Sequence, residues 1–136
     1  MRSIILLAGA LALSACARPM TFQANLNGAS EVPPTSSRGT GTVTATVYPS
    51  TMAMSYSAQY QNLTGPATAA HFHSPAPVGA NAPVVIPVDN PASPISGGAT
   101  LTDRQLADLQ AGTMYFNVHT AANPGGEIRG QVVRVQ

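Results

Sequence analysis

Residues 113–135 read Thr113-Met-Tyr-Phe-Asn-Val-His-Thr120, Ala121-Ala-Asn-Pro-Gly-Gly126, Glu127-Ile-Arg-Gly-Gln-Val-Val-Arg-Val135, and this stretch decides the fold. Two runs flank a Pro-Gly-Gly turn, the pattern of an antiparallel strand pair. Successive side chains of a strand alternate between faces, so Met114, Phe116 and Val118 share one face and Tyr115, Asn117 and His119 the other. On the second run Ile128 opposes Glu127, Arg129 and Gln131. Pairing the two runs gathers tyrosine, asparagine, histidine, glutamate, arginine and glutamine on one face. On composition alone that face reads as the solvated side of a sheet. His119 is what gives it a chemical reading.

Working outward, the same period recurs. Phe22–Leu26, Thr42–Tyr48, Met52–Tyr60 and Thr68–His73 are expected strands, broken by Asn27-Gly28, by Glu31-Val32-Pro33-Pro34 and by Asn62-Leu63-Thr64-Gly65-Pro66. Residues 74–98 hold six of the twelve prolines. They read as a surface excursion around one edge strand at Val84-Val85-Ile86. Thr102-Asp103-Arg104-Gln105 fits a capping box for one short helix, with Leu106 and Leu109 on its apolar face and Gly112 as its stop. About seven short strands at regular spacing predict an all-β fold, an antiparallel Greek-key β-sandwich of the superoxide dismutase or immunoglobulin type, with one short helix.

The first fifteen residues stand apart from that fold. Arg2 precedes an apolar run, Ile4 to Leu13, too short to span a bilayer as a helix. Leu13-Ser14-Ala15-Cys16 resembles a bacterial lipobox, and Cys16 is the sole cysteine. Residues 1–15 are therefore expected to be a lipoprotein signal peptide and 16–21 a lipidated tether. The acyl chains on Cys16 would anchor the protein to a bilayer. Ala17, where aspartate would signal retention, fits the outer membrane facing the periplasm. Removing residues 1–15 takes one of the six basic residues (6 − 1 = 5), which balances the five acidic ones, and there is no lysine. A neutral, lysine-free chain argues against nucleic acid as a partner.

All three histidines, His71, His73 and His119, fall within expected strands. His71 and His73, at i and i+2, project from one face and can grip one ion; His119 would complete a three-nitrogen site. Three imidazoles suit copper, zinc or nickel, and the carboxylates are too few for calcium or magnesium. Copper is the first choice in an oxidising compartment. Tyr115 is a further candidate ligand, Glu127 a candidate acceptor orienting an imidazole, Arg129 a candidate for steering an anion, and Asn117 a neighbour on the same face. Met52 and Met54 read as core filling. No G-x-S-x-G elbow and no phosphate-binding glycine loop occurs, which leaves covalent hydrolysis and nucleotide chemistry without a carrier.

Phe22–Pro34 (FQANLNGASEVPP), Ala69–His73 (AAHFH), Leu101–Gly112 and Tyr115–Gln131 (YFNVHTAANPGGEIRGQ) together resemble the chordin-like, or CHRD, domain, over residues 22–136. In animals this domain occurs in chordin, an extracellular antagonist of growth factors; in bacteria it stands alone in exported proteins. The resemblance implies an extracytoplasmic Greek-key β-sandwich. One departure is that His71-Phe72-His73 runs into Ser74-Pro75 where the family commonly has His-x-Gly after the isoleucine. The His-x-His strand with a later strand histidine also looks like the copper half of Cu/Zn superoxide dismutase, by analogy of motif alone. Two functions follow. One is a copper-binding lipoprotein for buffering, transfer to or from another protein, or weak superoxide chemistry. The other is a non-catalytic module that binds a protein or the envelope and keeps its histidines for structure.

Overall fold

The computed structural model describes residues 17–136. The lipobox, including Cys16, lies outside the described residues. The strands are β1 (Met20–Asn27), β2 (Thr40–Tyr48), β3 (Ala53–Gln61), β4 (Ala67–His73), β5 (Val84–Pro87), β6 (Ile95–Thr100), β7 (Tyr115–Thr120), β8 (Ile128–Gln131) and β9 (Val133–Arg134). Helix α1 spans Asp103–Gln110. Thr102 caps it as expected: its side chain accepts from the Gln105 backbone N–H, and the Gln105 side chain accepts from the Thr102 N–H. Gly112, with φ of 71°, takes the left-handed turn that ends it.

All strands belong to one antiparallel sheet in the order β5-β4-β7-β8-β1-β2-β3-β6, with β9 also against β1. The all-β class with one short helix stands. The two layers expected of a sandwich are halves of one continuous, nearly closed, barrel-like sheet. The halves join where Asn27 pairs with Arg129 and where Phe22 and Gln23 pair with Arg134 and Val133. Gly130 makes this join possible, because a Cβ there would collide with the backbone carbonyl of Asn25.

The core lies between the halves. Tyr56 of β3 meets Phe72 of β4 edge-on at 5.1 Å between ring centroids, and Phe72 meets Phe116 of β7 at 4.8 Å. Phe22, Val43, Val47, Met54, Val118 and Ile128 fill the rest, and the alternation read from the sequence decides which residues point inward. Met54 is thus core, and Met52 (φ 59°), in the β2–β3 turn, packs partly buried against it. Two boundaries differ from expectation. Ile95–Thr100 forms an edge strand against β3, where a loop was expected to Gly98; two glycines and two small polar residues hide the strand period. The final strand breaks at Val132 into β8 and β9.

Candidate metal centre

The register of β4 against β7 assembles the site. His71 pairs with Asn117, His73 with Tyr115 and Ala69 with His119. Asn117 pairs onward with Arg129 of β8, and Tyr115 with Gln131. Period-2 geometry puts all of them on the face turned away from Phe72 and Phe116.

That face is not solvated. All six residues of β7 are buried. Residues 74–83, the first part of the proline-rich excursion, fold back over it, and the polar side chains are their anchors. Arg129, 2% exposed, donates to the Asn81 side chain (3.0 Å) and to the Ala80 carbonyl (2.6 Å). The Gln131 amide donates to the Ala76 and Gly112 carbonyls, 2.8 Å each. The Arg129 guanidinium lies 3.4 Å above the Tyr115 ring, which stacks on His73 at 4.6 Å and 5°. An arginine under such a lid does not face incoming anions, so the steering role expected of it is not what its position serves.

The three imidazoles come together. One ring nitrogen from each of His71, His73 and His119 lies within 4.8 Å of the others. His73 Nδ1 donates to the Ala82 carbonyl and His119 Nδ1 to the Pro124 carbonyl, both at 2.9 Å. These bonds fix each ring and aim its Nε2 into the cluster, the arrangement by which proteins present imidazole to a metal. His71 Nδ1 lies 3.1 Å from His119 Nε2. Two bonds of about 2.0–2.1 Å reach about 4.1 Å only when collinear, so shared ligation asks a pair at 4.8 Å to close by at least about 0.7 Å, and by more at a bent angle. The partly exposed His71 is the ring free to make it. Burial holds the His71 pKa below its ordinary value, helped by the charges of His119 and His73. Burial also lowers His73, against hydrogen bonds to Ala82 and Asn117 that raise it and the charges of His119 and Arg129 that lower it. Neutral rings are the metal-binding form.

Glu127 does not orient an imidazole. Fully buried, it accepts from Ser37 Oγ, the Thr64 N–H, Thr64 Oγ1, Thr120 Oγ1 and Asn123 Nδ2, at 2.5–3.2 Å. Burial alone would raise its pKa, but the Ser37, Thr120 and Thr64 donors outweigh that and bring it to about 2. Backbone carbonyls orient the rings instead. Tyr115 directs its hydroxyl to Ala82, donating to the carbonyl and accepting from the N–H at 3.3 Å each.

Sequence reasoning missed Glu31. It is 4% exposed, its Oε1 is buried without a hydrogen-bond partner among the described residues, and it lies beside Asn117. Burial raises its pKa to about 7, opposed by the Arg129 charge and by the nearby Asn117 amide and Val32 N–H. Its place in the extended Glu31-Val32-Pro33-Pro34 run gave no periodic signal. Neither of two surface clefts includes a histidine. One, about 570 Å³, lies over β1–β3 beside Asn25, Thr42 and Gln59; the other, about 430 Å³, borders Glu31 and residues 122–126.

Fold and site together define an all-β domain with three histidines, two of them buried, clustered on one sheet face. The CHRD domain model matches residues 22–132, most of the chain, and the protein belongs to that family. No curated protein and no solved structure matches it. Among the described residues, no helix is long and apolar enough to cross a membrane.

Proposed function

We propose that this protein is an exported, lipid-anchored CHRD domain that binds one transition-metal ion, copper before zinc or nickel, through His71, His73 and His119. One observation carries the reading: three imidazole nitrogens within 4.8 Å, two of them aimed by backbone carbonyls accepting from the opposite ring nitrogen. Copper is favoured by the order of divalent affinities at nitrogen sites and by the oxidising compartment that the leader implies. The rings are buried under a loop with one partly exposed member, which suits holding or handing over an ion, with weak redox cycling against superoxide as a further use. A protein that donates or accepts the metal is the partner this implies, and the bilayer is reached through Cys16.

The test is calorimetric titration of the metal-free protein with Cu(II). One equivalent should bind, and the His71→Ala/His73→Ala/His119→Ala variant should bind none; wild-type protein without stoichiometric binding overturns the reading. A second reading is favoured by the side-chain contacts that bridge β4 and β7, His73 Nε2 at 3.0 Å from Asn117 Oδ1 and His71 Nδ1 at 3.1 Å from His119 Nε2. In it the histidines serve only the sheet, and the triple variant loses stability in metal-free buffer while copper leaves the wild-type melting temperature unmoved.

A further inference from the structure

Asn117 sits between the two carbonyl-anchored rings. Its Oδ1 lies 3.0 Å from His73 Nε2 and 2.9 Å from His119 Nε2. A neutral imidazole carries one N–H. For both rings that proton is on Nδ1, because the Ala82 and Pro124 carbonyls can only accept. Each Nε2 therefore presents a lone pair, and both face another lone-pair atom, Asn117 Oδ1. His71 can supply one proton, through Nδ1 to His119 Nε2, and none to Asn117. Three electron-rich atoms thus crowd together with no hydrogen between them. A buried group of acceptors without donors is costly, and a cation at their centre relieves it.

Turning the Asn117 amide over would also relieve it, and Glu31 opposes that turn. A Cβ at Gly126 would collide with Glu31 Oε1 and come within 2.7 Å of Asn117 Nδ2, so the amide nitrogen is the end turned to the carboxylate. With the amide reversed, Oδ1 would face that carboxylate instead. The four donor atoms form a chain, His73 Nε2, Asn117 Oδ1, His119 Nε2 and His71 Nδ1, with successive separations of 3.0, 2.9 and 3.1 Å. Ligands at right angles on bonds of about 2.0–2.2 Å are about 2.8–3.1 Å apart, whereas tetrahedral ones are about 3.3–3.6 Å apart. Tetragonal sites of nitrogen and oxygen suit Cu(II) and Ni(II) over zinc.

We infer that the Asn117 side-chain carbonyl is a fourth donor to the metal, completing a three-nitrogen, one-oxygen set, and that Glu31 is a positioning residue that holds the amide in the ligating orientation. This rests on the metal-binding reading above. Glu31 touches no metal; it acts through Asn117.

Electron paramagnetic resonance of the Cu(II)-loaded protein, with calorimetric titration, separates the two claims. Wild type should give a tetragonal signal with nitrogen couplings at one equivalent. Asn117→Ala should weaken Cu(II) binding by about 10–100-fold and change the parallel g and hyperfine values. Asn117→Asp keeps an oxygen in place and should restore the affinity, with a spectrum shifted toward an anionic oxygen donor. Glu31→Gln, which removes the bar to the turned amide, should move affinity and spectrum toward those of Asn117→Ala. Should Asn117→Ala fail to fold, the shifted spectrum of Asn117→Asp still decides the matter. If copper binds through the histidines but the Asn117→Asp and Glu31→Gln spectra superpose on wild type, the fourth-donor inference falls alone. If wild type binds no Cu(II), the metal reading itself falls.

Discussion

Two buried polar clusters sit along the β7–β8 strand pair, and they differ in how far they are satisfied. Around Glu127, five hydrogen bonds from four residues converge on one carboxylate. Around Asn117, acceptors outnumber donors, and Glu31 Oε1 has no partner among the described residues. A closed network stabilises and specifies, whereas an open one costs free energy unless something fills it. The difference separates two carboxylates that composition cannot tell apart. Glu127 ties Ser37, Thr64 and Asn123 to the sheet, and Glu31 stands behind Asn117 and the histidine cluster.

The comparison breaks most visibly at Glu127. Glu127→Ala leaves its donors buried without an acceptor and should cost roughly 3–5 kcal/mol, read from the denaturant midpoint. A loss under about 1 kcal/mol would show that the network is ornamental. Acid tests the same carboxylate without mutation. Its folded pKa, about 2, lies below the ordinary 4.5, so its contribution is complete above 4.5 and vanishes as pH falls through 2. That contribution is on the order of 3 kcal/mol. Glu31 has the opposite sign. Its folded pKa of about 7 lies above 4.5, so its contribution is present below 4.5 and lost as pH rises through 7. Glu31→Gln should flatten the upper flank of the stability–pH curve and leave the acid flank alone.

Smaller effects sharpen the other side. Cu(II) at a free concentration of 100 times its Kd should stabilise the wild type by about 2.7 kcal/mol and the triple histidine variant not at all, in matched melts. Tyr115→Phe, which loses only the hydroxyl's bonds to Ala82, should cost about 1 kcal/mol and leave copper affinity within about twofold. A larger change in affinity would place the hydroxyl at the ion.

Much of this was legible before any coordinates. Strand alternation put His71 with His73 on one face of their strand and Asn117 with His119 on one face of theirs, and the capping box at Thr102 and Gln105 marked the helix. Other features arise only from tertiary contact. The same alternation that grouped Tyr115, Arg129 and Gln131 could not show that residues 74–83 bury them, because a lid built from prolines and small residues has no periodic signature. Glu31 joins the site through a fold-back of the segment after β1 toward residues 117 and 126. Ile95–Thr100 pairs with β3 despite Gly97 and Gly98, since Gly97 makes room for the Tyr56 ring. Register, coverage and the proton count around Asn117 are three-dimensional facts.

X-ray absorption at the copper edge of the Cu(II)-loaded protein tests the central claim most directly. The account predicts an ion with three imidazoles at about 2.0 Å, seen by their outer-ring scattering, and one further light-atom donor. Fewer than three imidazoles, or sulfur in the inner sphere, would contradict it.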